Sequence, residues 1–251
     1  MAILSEIVNF CNERTRAAQV KDFPGALNGL QCSNNGEVSR IGAAVDAGLL
    51  PFQAAIEAGI DLLIVHHGMF WNGSKRFVDA EYQKLKTLID GNLALYSCHL
   101  PLDAHEEIGN SALLADAIGV KRFGGFLPYE GVDIGFVGEW ENSREELRKR
   151  LESEFQGQMA AMEFGSASPQ KICVVTGSGV SAVDQVRAAG ADTLITGELK
   201  QHFYNIAQEE NLNLYACGHY ATETYGVKAL AQEAAEKFSL DWQFIKTDCP
   251  L

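Results

Sequence analysis

Two histidine-and-carboxylate phrases define the chemistry open to this chain. Residues 92–103 read Asn-Leu-Ala-Leu-Tyr-Ser-Cys-His-Leu-Pro-Leu-Asp, and residues 211–223 read Asn-Leu-Asn-Leu-Tyr-Ala-Cys-Gly-His-Tyr-Ala-Thr-Glu. Each is a short apolar run ending in a histidine with a carboxylate four residues on: His99 with Asp103, and His219 with Glu223. Imidazole nitrogens and carboxylate oxygens are the usual ligands of borderline and hard divalent cations. A further pair, His66-His67, follows the apolar run Asp61-Leu-Leu-Ile-Val65. These histidines and acids all fall just past the ends of expected strands, where α/β sheets gather their ligands. Neighbours in an extended strand point to opposite faces, so His66 and His67 are expected to serve two ions side by side rather than chelate one. Gly68 gives the backbone freedom to turn there. Imidazoles and two carboxylates without thiolate suit zinc, manganese or iron. Taken singly, each residue has a plainer role: a histidine hydrogen-bonding at a strand end, Asp103 capping a helix, Glu223 favoured by a helix dipole. As a set, they point to metal.

The elements that must position these residues follow from periodicity. Helical spacing covers residues 3–18, 51–58, 82–90, 108–118, 181–189, 199–210 and 221–237, and strand-like runs cover 40–45, 61–65, 93–98, 132–137, 171–175, 192–196, 212–217 and 241–245. Ser143 with Glu146 opens one more helix with a capping-box signature. Alternating strands and helices indicate α/β layers with mixed, largely parallel sheets. The stretch Ala55–Ile64 parallels Val186–Ile195, each a helix end, a glycine and then a strand. The chain therefore reads as two similar α/β halves, 1–124 and 125–251.

Composition narrows the function. The chain has 251 residues, 47% apolar and 21% charged, and a net charge of −13, which argues against nucleic acid and anionic membranes as partners. No apolar stretch approaches a transmembrane length. The first residues lack the basic start and apolar centre of a signal peptide, and the six cysteines are scattered without a Cys-x-x-Cys, so a cytoplasmic protein with reduced thiols is expected. Weaker features are Gly177-Ser178-Gly179, read as a plain βα turn rather than an anion cradle, and the loop Met69–Arg76, whose aromatics could stack a heterocycle. Glu198 is a candidate catalytic acid or a helix-start acid.

The motifs Leu27-Asn28-Gly29-Leu30-Gln31, Val65-His66-His67-Gly68, His99-Leu100-Pro101-Leu102-Asp103-Ala104-His105, Gly109-Asn110, Ile195-Thr196-Gly197-Glu198 and Gly218-His219-Tyr220-Ala221-Thr222-Glu223 resemble, nearly end to end, the dinuclear-metal hexameric family related to the yeast NGG-interacting factor. Its members are often labelled GTP cyclohydrolase I type 2 homologues, and this chain is similar to the short bacterial type. The resemblance implies interlaced α/β halves, a toroidal homohexamer and two divalent ions per chain facing its inner cavity. Carried over by motif, His66, His67, Asp103, His219 and Glu223 are the ligands, Glu223 is shared by both ions, and His99 stands close by without touching either. Tyr220 stands where some relatives have another histidine. The implied function is a metal-dependent hydrolase in which the ions activate water and polarise the substrate, with Glu198 or His99 moving protons. The family label points to opening of the GTP imidazole ring. A non-catalytic metal-binding scaffold and a phosphoesterase acting on another nucleotide are the alternatives.

Overall fold

The computed structural model of the chain describes residues 1–70, 75–247 and 249–250. It divides into two compact units, one made of Met1–Leu102 with Gly226–Asp248 and a second built on Asp103–Tyr225. The first unit contains β1 (Ala2–Ile3), α1 (Leu4–Arg14), β2 (Gly29–Cys32), β3 (Glu37–Val38), β4 (Arg40–Asp46), α2 (Leu49–Glu57), β5 (Leu62–His67), α3 (Asp79–Asp90), β6 (Ala94–Ser97) and the start of α4 (Leu100–Asp103). The second contains α5 (Asn110–Ile118), β7 (Lys121–Tyr129), β8 (Val132–Glu139), α6 (Arg144–Glu154), β9 (Ala160–Glu163), β10 (Lys171–Val174), β11 (Thr193–Thr196), α7 (Phe203–Glu209), β12 (Asn213–Ala216) and α8 (His219–Thr222). Helix α9 (Thr224–Phe238) carries the chain back to the first unit, where β13 (Asp241–Phe244) pairs with β4.

Each unit is built on a mixed sheet with parallel strands at its centre. In the first, the order is β13-β4-β5-β6-β2, parallel up to β6 and antiparallel at β2. In the second, it is β7-β8-β10-β11-β12-β9, parallel only from β10 to β12. The segment β4-β5-β6-β2 thus has the same order and direction as β10-β11-β12-β9. The repeat extends to single bonds: Cys98 N donates to the Val65 carbonyl at 2.9 Å, and Cys217 N donates to the Thr196 carbonyl at 2.8 Å. Two like-built α/β halves are what the sequence repeat predicts, and the return of α9 and β13 makes them interlaced.

The central strands are apolar because helices cover both faces of a parallel sheet. Leu62, Leu63, Ile64 and Val65 are all fully buried. In the first unit Leu63 and Val65 pack with Phe52, Ala55, Leu88 and Leu95. In the second, one core joins Cys173, Leu194 and Leu214 to Phe126 and Phe203, and another joins Ile172, Ile195 and Tyr215 to Trp140 and Leu147.

Several boundaries differ from the periodicity, each for a local reason. The expected helix 3–18 stops at Arg14: the Thr15 hydroxyl donates to the Cys11 carbonyl at 2.8 Å, and Arg16 turns left-handed at φ 54°. The expected helix 181–189 is only a 3-10 turn, Val183–Gln185, because the Ala182 N–H bonds Gly179 and the Gln185 N–H bonds Ala182 in an i+3 pattern. The expected helix 199–210 begins at Phe203. Ser143 does cap α6, its hydroxyl accepting from Glu146 N at 3.2 Å, but the Glu146 carboxylate accepts from Arg150 instead of completing a capping box. Ser143→Ala is expected to lower unfolding stability by about 1 kcal/mol, read by urea denaturation; an unchanged midpoint would remove the cap from the account of α6. Of the loop 69–76, residues 71–74 lie outside the described residues.

Candidate metal-binding site

In the first unit, parallel pairing brings the ends of three strands into line. Asp46, last in β4, sits opposite His67, last in β5, and Val65 sits opposite Ser97 on β6. His66, His67 and His99 therefore meet. Ring centroids lie 4.8 Å apart for His66 and His67, 4.8 Å for His66 and His99, and 5.6 Å for His67 and His99. One ligand nitrogen from each of the three lies within 4.8 Å of the others, so this group could hold a metal ion. His66 and His67, expected on opposite faces by strand alternation, are not so divided. At the strand end the two rings lie side by side.

Each imidazole is anchored through Nδ1. That of His66 donates to the Cys98 carbonyl at 3.0 Å, that of His67 to Asp46 at 2.8 Å and that of His99 to Asp22 at 2.9 Å. A carbonyl or carboxylate that takes the Nδ1 proton fixes the tautomer and orients the ring, the usual arrangement behind a metal-ligating histidine. Asp22 also accepts from Phe23 N, Leu100 N and Asn28 Nδ2, while Asn28 Oδ1 accepts from His99 N. Burial pushes the Asp22 carboxyl up, but the hydrogen bond and charge of His99, with Asn28 and the Phe23 N–H, outweigh it and hold the group below its ordinary value. Gly68 is needed for space rather than for a left-handed turn: a Cβ there would stand 2.3 Å from Gln31 Nε2 and 2.6 Å from Ser97 Oγ. Gln31 in turn accepts from Met69 N at 2.7 Å. The Leu27–Gln31 motif is thus the brace of the histidine turn.

The second unit carries its own donors. His219 opens α8, and Glu223 stands at the break between α8 and α9 rather than in the first turn of one long helix. The two nitrogens of His219 face two carboxylates, with Nε2 3.2 Å from Glu223 and Nδ1 3.3 Å from Glu198. The hydrogen bond to Glu223 is the largest cause that raises the His219 pKa, to about 9; burial opposes it, and the Glu223 charge and Glu198 add to it. Glu223 is 4% exposed. Glu198 is half exposed and lies in a loop, not at a helix start. Asp103 is buried and accepts from Asn110 Nδ2 at 2.9 Å. His105 does other work: its Nδ1 accepts from Glu107 N and Ile108 N at 3.1 and 3.2 Å and braces the turn before α5.

Three contributors escape sequence reasoning. Asp22 lies in a polar stretch with no periodicity. Asp46 follows the expected strand 40–45, so the strand-end rule that picks out the other acids applies to it too. Gly177, taken as part of a plain turn, is closely shaped to its neighbours: a Cβ there would lie 2.2 Å from Glu223 Oε1.

An α/β protein of two like-built units, each with imidazole and carboxylate groups beyond its central strands, is the class defined by these observations. Residues 2–250 match the model of the Duf34/NIF3 (NGG1p interacting factor 3) family, and the chain belongs to that family. It is 36% identical over 243 residues to a protein of Deinococcus radiodurans, covering 96% of this chain and 91% of that one. It is 37% identical over 248 residues to a protein of Halobacterium salinarum, covering 96% and 97%. Both relatives are named GTP cyclohydrolase 1 type 2 homolog. Among solved structures it is similar to ybgI, a structural-genomics protein of unknown function, with a TM-score of 0.91 at 33% identity over the whole of both chains. A crystal structure of a Thermus thermophilus protein matches with a TM-score of 0.86 at 35% identity, again over the whole of both chains. No described helix is long and apolar enough to cross a membrane.

Proposed function

We propose that this chain is a metal-dependent hydrolase of the GTP cyclohydrolase type, acting on a small nucleotide. In this reading His66, His67, Asp103, His219 and Glu223 hold two divalent ions, zinc, iron or manganese, with Glu223 shared. The observation that carries the proposal is the carboxylate-anchored imidazole: His67 is held by Asp46 at 2.8 Å, in the way that ligating histidines are held. The donor set is all nitrogen and oxygen, which fits such ions. Bound there, the ions would activate water and polarise the substrate.

The chain's own residues supply orientation and proton movement. Asp46 and the Cys98 carbonyl fix the rings of His67 and His66. Glu198, half exposed beside His219, would exchange a proton with solvent at its carboxylate. With the His99 Nδ1 proton committed to Asp22, any proton that His99 passes moves at Nε2. The proposal includes a homohexamer in the cytoplasm, supported by the family resemblance and by the six free cysteines.

The test combines metal analysis with turnover. Purified protein is expected to contain two transition metals per chain and to open the GTP imidazole ring or cleave a nucleotide phosphoester. His67→Ala is expected to abolish that turnover, and light scattering should give the mass of six chains. Metal without turnover of any nucleotide would favour the scaffold reading, and absence of metal would overturn the proposal.

A further inference from the structure

We propose that the second unit carries an anion-binding cleft at the amino ends of β10 and β11, built by Lys171 and Arg187 and suited to a small phosphorylated metabolite. This goes beyond the reading above: every residue of the cleft lies in the second unit, and none of them is a metal donor. The cleft measures about 370 Å³, the size of a small-molecule site, and its lining includes Ser168, Pro169, Lys171, Arg187, Gly190 and Asp192. Lys171 opens β10 and Asp192 immediately precedes β11, whereas His219 and Glu223 follow the far end of β12. Strand β10 is 4 residues long, about 13 Å of chain, so the cleft and the metal donors sit at opposite ends of the sheet.

The internal repeat supplies the comparison. Ile41 pairs with Leu62 as Ile172 pairs with Thr193, so Arg40 corresponds to Lys171 and Asp61 to Asp192. In the first unit side-chain bonds close this end of the sheet: Arg40 Nη1 donates to the Ala58 carbonyl at 2.6 Å, and Nη2 donates to Gln243 Oε1 at 2.9 Å. Lys171 makes neither bond. Its ammonium stands 5.6 Å from the centre of the Phe123 ring, and its cross-strand neighbour Glu139 forms no ion pair with it. A Cβ on Gly190 would lie 3.5 Å from Lys171 Nζ, so the ammonium rests over the Gly190 turn. Arg187 takes the place of Ile56 in the repeat, so the second unit adds a cation that the first lacks.

The charge of the cleft names the ligand. Asp192 is the acid among the lining residues, and both its oxygens are engaged: Oδ2 accepts from Ser166 N at 2.8 Å, and Oδ1 accepts from Thr193 Oγ1 at 2.8 Å. Arg187 commits Nη2 to the Glu210 and Asn211 carbonyls, which leaves Nε and Nη1 to donate. Among the described residues no carboxylate forms an ion pair with Lys171 or Arg187. Two cations without counter-ions, in a chain of net charge −13, attract an anion where the rest of the surface repels one. An ammonium, a guanidinium and the Ser168 hydroxyl, on three separate segments, suit the tetrahedral oxygens of a phosphate better than a flat carboxylate. A bare phosphate leaves much of the 370 Å³ unfilled, so the ligand is a phosphate monoester with a small organic part.

The experiment uses the full-length protein stripped with chelator, so that phosphate held by a metal does not count. Inorganic phosphate and glycerol 3-phosphate are titrated calorimetrically at low ionic strength. One saturable site per chain is expected, with the ester binding more tightly than phosphate. Lys171→Gln and Arg187→Gln should each weaken the ester about 10- to 100-fold, the usual worth of a charge-assisted hydrogen bond. Lys149→Gln, which removes an exposed lysine already paired with Glu145 at 2.8 Å, should leave affinity unchanged. Arg187 also holds two carbonyls, so circular dichroism checks the fold of its variant. Amide resonances of the unsubstituted protein need no variant: glycerol 3-phosphate should move those of Ser168, Lys171 and Gly190. Absence of saturable binding, shifts confined to other residues, or full affinity in both Lys171→Gln and Arg187→Gln overturns the site. Succinate binding more tightly than the ester, or an ester no tighter than phosphate, overturns the ligand class. None of these outcomes depends on metal content or turnover, so the hydrolase reading stands or falls separately.

Discussion

Glu223→Gln is expected to bring the titration of His219 in metal-free protein down from about 9, and to weaken divalent-metal uptake by at least about 100-fold. Glu223 is buried at 4% exposure, and its Oε1 lies 3.2 Å from His219 Nε2. A neutral amide keeps the shape but removes the charge and the acceptor that hold the imidazolium. Glu198 at 3.3 Å remains, so the shift is reduced rather than erased. The sign with pH follows from the direction of the shift. A histidine raised from 6.5 to about 9 stabilises the folded metal-free chain fully below pH 6.5, and that contribution is lost as pH rises through about 9. A cation that takes a His219 nitrogen must displace the proton, so metal affinity should climb over the same window and release close to one proton per chain at pH 8. In Glu223→Gln the climb should level off at lower pH. Histidine proton resonances followed against pH give the first quantity, and calorimetry in buffers of different ionisation enthalpy gives the second. A His219 that titrates near 6.5 in the unsubstituted protein would refute the carboxylate clamp.

The sequence repeat that reveals the two halves is also slightly misleading, and the strand register shows why. Ser97 pairs with Val65 as Ala216 pairs with Thr196, so Cys98 corresponds to Cys217, His99 to Gly218 and Leu100 to His219. The two histidines that look equivalent in the phrase are one position out of step. Leu100 and His219 each begin a short helix, whereas His99 is still on the strand side of its turn. Gly218, at φ 96°, occupies the place of His99. Likewise Asp103 closes its helix and Glu223 follows its own. Spacing along the chain makes the donors visible, but only pairing between strands shows that the halves use them differently.

What periodicity can reveal is limited by how local the cause is. Strands such as Leu62–His67 are buried on both faces, so their composition alone marks them. The edge strands Gly29–Cys32, Lys121–Tyr129 and Ala160–Glu163 do not announce themselves, because each is only partly buried and gains its pairing from a strand elsewhere. The return of β13 to β4 pairs Asp241 with Arg40 across most of the chain, which no short window can show. The site follows the same rule. His66, His67, His99 and His219 stand out as rare residues at strand ends. Asp22 does not, because its role comes from a loop folding over His99.

Gly177→Ala should disturb the second unit more than its single methyl group implies. Gly177 lies at φ 64°, where an L side chain costs about 1–2 kcal/mol. Its Cβ would also fall 2.2 Å from Glu223 Oε1 and 3.3 Å from His219 Nε2. The backbone cannot easily yield. Gly177 N donates to Thr222 Oγ1 at 3.1 Å, and its carbonyl accepts from Glu198 N at 2.9 Å. The carboxylate must therefore move. The expected result is a loss of about 1–3 kcal/mol in stability, with a lower His219 pKa and weaker metal uptake. Gly179→Ala is the matched control. Its Cβ would meet the Thr196 side chain at 2.5 Å, so it should destabilise the loop while leaving His219 to titrate as before. Thermal unfolding and the histidine titration, measured on both variants, separate crowding of the turn from displacement of the carboxylate. If Gly177→Ala destabilises the chain without moving the His219 titration, Glu223 is held by something other than this glycine.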